Sequence, residues 1–275
     1  MKDKKLIAEI SAIIVLVLIL GGLWFALINI MGSRSGDDTS LTQQDSSSTT
    51  YSGVKEISTD EEISDTEFTS ESSDQNAVLV SGNITASLKN VTINKTGDSD
   101  GGDNTSFYGT NSAILAKSGA NLTIKDSTIT TDATGANGVF SYGGSATTNN
   151  ASSDNTTINI SDSTITTSKG NSGGIMVTGG GILNATNLTI NTAGTSSAAI
   201  RSDRGGGTMN VDGGTYKTTG KGSPAIYSTA DITVKNAKLI ATASEGAIIE
   251  GKNSITLENV DLVDTNNTIN GKSTT

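Results

Sequence analysis

The sequence predicts an all-β fold: a single-stranded parallel β-helix of about seven coils, right-handed as a fold-level expectation, preceded by one transmembrane helix. Three observations predict the β-helix. A degenerate unit recurs seven times, with corners at Asn90, Asp126, Asp162, Asn187, Gly213, Asn236 and Asn259, spaced by 36, 36, 25, 26, 23 and 23 residues. Periods of this size mark a solenoid, in which no unit can bury its apolar face alone. Only Asn, Asp or Gly occupies the corner, the types that tolerate a left-handed backbone or cap their own turn. Finally, pairs such as Leu122/Ile124, Ile158/Ile160 and Leu183/Ala185 alternate with period two, where a helical solenoid would show 3.6.

Taken from the N-terminus, residues 1–9 form a basic region with Lys2, Lys4 and Lys5. Residues 10–31 read as a transmembrane signal-anchor helix, since Ser11 and Asn29 are the only polar side chains between positions 10 and 30. That length crosses about 30 Å of hydrocarbon. Lysines before it and Asp37 and Asp38 after it place the repeats outside, giving a single-pass cell-membrane protein. A cleaved signal peptide is the competing reading, but the apolar core is long for one and no small-x-small site follows.

Residues 32–75 read as an acidic Ser/Thr-rich stalk. Eleven carboxylates face only Arg34 and Lys55, which accounts for nearly all of the chain's net charge of −10. Val54, Ile57, Ile63 and Phe68 suggest an N-terminal cap strand within it. The acidic balance excludes nucleic acid as a partner. With no cysteine and no histidine, disulfides, thiolate sites and imidazole chemistry are excluded as well.

Residues 76–275 form the repeat domain, read as truncated at its C-terminus because no cap follows the last unit. In six of the seven first strands one outward position is apolar or aromatic where a polar side chain is expected. The column is Leu79, Leu115, Phe140, Met176, Arg201, Tyr227 and Ile249. Such a stripe is either covered or a recognition face. Insertions at 97–111 and 143–154 are the available covers.

Asp98, Asp100 and Asp103 crowd a turn-rich stretch and are calcium-ligand candidates, although the spacing is not that of an EF-hand. No other cofactor is implied. Phe107, Tyr108, Phe140, Tyr142 and Tyr227 are candidates for a platform on which a sugar face packs. Arg201, Asp203 and Arg204 precede three glycines and complete the carbohydrate-binding candidates. Arg201 and Asp203 point outward together, so a plain ion pair is the alternative. A lyase would use an arginine to take the C5 proton of a calcium-bound uronate. Hydrolysis wants two facing carboxylates, and only Asp203 lies nearby. No catalytic residue is assigned. Threonines 92, 128, 164, 189 and 215 form a further outward column that β-branched stacking explains.

The stretches 97–104, 107–111, 173–181, 199–207, 222–231 and 250–254 resemble a family of bacterial surface β-strand-repeat proteins described as adhesin-like or carbohydrate-binding-like. The resemblance spans residues 76–275 and implies a pectate-lyase-type β-helix at the cell surface. It implies no catalytic set for these positions. The reading that follows is a membrane-anchored surface adhesin or polysaccharide-binding scaffold, partnered by the membrane and by an extracellular polysaccharide or surface protein. A calcium-dependent polysaccharide lyase or glycoside hydrolase on the same fold is the alternative.

Overall fold

The computed structural model describes residues 49–144 and 153–264. These wind into a parallel β-solenoid of eight coils. One face is an eight-stranded sheet, running through Gly53–Ile57, Asn76–Ser81, Ile114–Lys117, Val139–Tyr142, Ile175–Thr178, Ile200–Ser202, Ile226–Ser228 and Ala247–Ile249. The other two faces are the limbs of a second sheet, which folds at the Asn/Asp/Gly corner. In two coils, Gly181–Thr192 and Gly207–Thr218, a single strand passes through that corner unbroken.

Eight coils replace the expected seven because the first lies in the acidic segment. Gly53–Ile57, Glu61–Ser64 and Glu67–Ser70 pair in parallel with the next coil, Ile63 opposite Leu88 and Phe68 opposite Ile93. Ile57 is buried, and Ile63 and Phe68 pack against the core. Glu56, Glu62 and Glu67 occupy outward positions, while Glu61 on the inward side pairs with Lys55, so a composition that looks disordered still supplies an inward face.

The membrane expectation is corrected. No helix among the described residues is long and apolar enough to cross a membrane, and the apolar run at 10–31 lies outside those residues. The transmembrane helix, the cell-membrane location and the membrane as a partner rest on that run and are carried no further.

Stacking explains the core. Leu122, Ile124, Ile158, Ile129, Ile165, Leu183 and Ile190 are fully buried on successive coils. The corners adopt the backbone that the residue types predict. Asp65, Asn90, Asp126, Asp162, Asn187, Gly213, Asn236 and Asn259 have φ between 50° and 75°. The same side chains tie coils together: Asn90 Nδ2 donates to Asp65 Oδ1 (2.6 Å), Asn187 to Asp162 (3.0 Å) and Asn259 to Asn236 Oδ1 (2.8 Å). These bonds hold the Asp65 and Asp162 carboxyls below the usual carboxylate range. At another bend, Thr167, Thr192 and Thr218 each donate to the carbonyl of Ser172, Ser197 and Ser223 at 2.5 Å. Lys95 replaces threonine in that column, opposite Ser70 and Thr131. It is fully buried, and its Nζ donates to Ser72 O (2.7 Å) and Gly97 O (2.6 Å).

Candidate functional site

The outward apolar column divides in two. Leu79, Leu115, Phe140 and Met176 are buried beneath the first insertion, whose short helix Asp103–Tyr108 lies over them. Tyr108 meets Tyr142 edge-on, with ring centroids 5.6 Å apart and planes at 82°. Gly109 ends the helix at φ 73°, where a Cβ would strike Leu115 and Phe140 at 2.9 Å, so only glycine brings the loop down this closely. Thr178 Oγ1 donates to Phe107 O (2.6 Å) and fixes the far end. Tyr108, Phe140 and Tyr142 thus serve the cover and are too buried for a sugar to stack on them.

Past the cover, the column becomes Arg201 and Tyr227 and opens into a cleft. One part, of about 620 Å³, lies between Phe107, Asp203, Arg204, Tyr227, Glu250 and Lys252. A second part of about 250 Å³ shares Asp203 and Tyr227 with it and is lined further by Arg201 and Pro224. Of the carbohydrate-binding candidates, the structure therefore gathers Phe107, Arg201, Asp203, Arg204 and Tyr227 in one place.

Glu250 is the residue that sequence reasoning missed, and its register says why. The expected alignment puts Ile249 outward beside Tyr227. Instead Tyr227 pairs with Ile248 and Ser228 with Ile249. A one-residue slip exchanges the two faces of a strand, which turns Glu250 outward into the column of Asp203 and Thr229. Thr229 Oγ1 donates to Asp203 O (2.9 Å), and Glu250 N donates to Ser228 O (2.8 Å). Asp203 and Glu250 thus stand two coils apart, roughly 10 Å between backbones. The regular 23-residue corner spacing across this stretch carries no sign of the slip.

Electrostatics separate the two carboxylates. Asp203 is nearly enclosed, and burial raises its carboxyl pKa in spite of Arg201, whose Nη2 lies 3.3 Å from Oδ2. Arg201 is itself buried, and its Nη1 donates to Asn171 Oδ1 (2.7 Å). Asn171 in turn donates to Gly101 O (2.6 Å) and Ser106 Oγ (2.9 Å) of the covering loop. The ion pair that the sequence suggested is present and is braced against the cover. Glu250 is exposed. Between them the Tyr227 hydroxyl is pushed up to about 12 by burial, by the two carboxylates and by its hydrogen bond to Glu250. It acts as a hydrogen-bond donor.

The calcium candidates do not converge. Asp98 Oδ1 accepts from Thr134 N (2.6 Å), Asp100 Oδ1 accepts from Gly102 N (2.8 Å), and Asp103 opens the helix. Among the described residues no three His, Cys, Asp or Glu side chains group to hold a metal ion. No step below depends on calcium.

No family model matches the chain, and no curated protein or solved structure matches it significantly. The parallel β-solenoid stands on its own geometry, and nothing ties it to the pectate-lyase family in particular.

Proposed function

We propose that the cleft binds a polysaccharide and that Asp203 and Glu250 hydrolyse a glycosidic bond in it with inversion. The observation that carries this reading is the pair of carboxylates on one outward column, one pressed towards its acid form and one open to water. Two coil steps suit the ~6.5–9.5 Å that inverting enzymes leave between carboxyl groups for a water molecule. Asp203, with its raised pKa, gives its proton to the glycosidic oxygen as the bond to the anomeric carbon breaks. Glu250 takes a proton from water, whose oxygen bonds to that carbon from the opposite face. Tyr227 orients Glu250, and Phe107, with the Arg204 guanidinium over its ring, borders the cleft.

The Arg201–Asp203 ion pair supports a second reading, in which the cleft retains the glycan without cutting it. One experiment separates the two. A panel of polysaccharides is incubated with the chain and with Asp203→Asn and Glu250→Gln, measuring both new reducing ends and retention. Hydrolysis gives reducing ends that fall by about 10²–10⁴-fold in either variant. Retention without reducing ends supports the binding reading, and neither on any glycan overturns both.

A further inference from the structure

Resting on that reading of the cleft, we infer that its glycan is acidic: Arg204 and Lys252 hold a carboxylate or sulfate carried by the sugar chain. The chain's net charge is −10, yet three cations line this one cleft. Arg201 is already engaged by Asp203 and Asn171. Arg204 and Lys252 are not, since neither has a carboxylate within 4.0 Å among the described residues.

Their placement is also specific. The Arg204 guanidinium lies over the Phe107 ring, 4.1 Å from its centroid. The ring holds the guanidinium by its face. Its edge N–H groups stay available, the geometry that grips a planar carboxylate through two parallel bonds. Phe107 is fixed in turn by Thr178. Further along the same cleft, Gly251 at φ 72° turns the chain so that Glu250 and Lys252 both line it, and Asn253 Nδ2 closes the turn on Glu250 O. An anionic substituent between Arg204 and Lys252 neutralises both and leaves Asp203 and Glu250 to the reacting bond. Packing of Phe107 alone would account for Arg204 but not for an unpaired Lys252 lining the same cleft.

The test compares binding of a uronate oligosaccharide with its methyl ester, and of a sulfated galactan with neutral galactan, for the chain and for the double variant R204Q/K252Q. The acidic member of a pair should bind about tenfold more tightly, with affinity falling steeply as salt rises. The preference should vanish in the double variant while circular dichroism stays unchanged. A preference for uronate alone points to bidentate carboxylate recognition, and one for both acids to charge in general. Equal binding of acid and neutral forms, or a preference that survives the double variant, overturns the inference while leaving the cleft's function standing. No binding of any glycan overturns both.

Discussion

At the scale of single residues, the corner column shows how little chemistry a coil needs. A non-glycine residue at φ near 54° costs about 1–3 kcal/mol unless its side chain compensates. Asparagine does so, because Nδ2 reaches the neighbouring coil. Asn187→Val should lower the unfolding free energy by about 2–4 kcal/mol in urea, strain and lost bond together, whereas Asn187→Gly should lose only the inter-coil bond, about 1 kcal/mol. Equal losses would show that the left-handed backbone is not the constraint.

Lys95 makes a different residue-scale prediction. Burial lowers its pKa to about 8, from the ordinary 10.5. The unfolded chain therefore holds one more proton than the folded one between these values, and stability rises with pH across that window. The cost of burying the charge is present in full below pH 8. Lys95→Met removes the titration, so the stability difference between parent and variant should shift by up to one proton's slope from pH 8 to 9.5. A pH-independent difference would contradict it.

The element that decides the site is the short covering helix. Its cover is energetically substantial, since Phe140 and Leu115 are fully enclosed beneath it. Phe140→Ala should cost about 3–5 kcal/mol through the cavity it leaves. Replacing residues 98–110 by a short Gly/Ser linker should keep the β-sheet circular dichroism while creating binding sites for a hydrophobic dye. An unchanged dye signal would mean that other residues cover the column.

This element also marks the limit of what the sequence discloses. The outward apolar column was legible because strand alternation is strict, and the insertion at 97–111 was legible as a cover for it. The helix was not, because six residues from Asp103 to Tyr108 are too few to display a helical period. Glu250 was hidden by one residue of register, and the first coil by carboxylates on its outward positions. Both failures arise where pairing between coils, rather than local composition, fixes which face a side chain takes.

At the scale of the molecule, each coil is held mainly by its neighbours, so stability should be graded along the axis. Leu257 and Leu262 of the last described coil are 42% and 41% exposed. Their counterparts Val234 and Leu239, one coil earlier, are fully buried. Amide exchange should be slowest in the coils between Leu122 and Ile190 and fastest in Ser254–Glu258 and Asp261–Asp264; uniform protection would contradict a nearest-neighbour solenoid. The cleft lies across the coils of Ile200–Ser202, Ile226–Ser228 and Ala247–Ile249, between the best-protected coils and the last described strands. Its two carboxylates owe their positions to stacking itself.

The most direct measurement is therefore a crystal structure of the Glu250→Gln variant soaked with an oligosaccharide that the chain binds. The account predicts sugar rings running across these coils, with one glycosidic oxygen within hydrogen-bond reach of Asp203 and an acidic substituent at Arg204. Sugar bound on another face of the solenoid, with the cleft between Asp203 and position 250 empty, would contradict it.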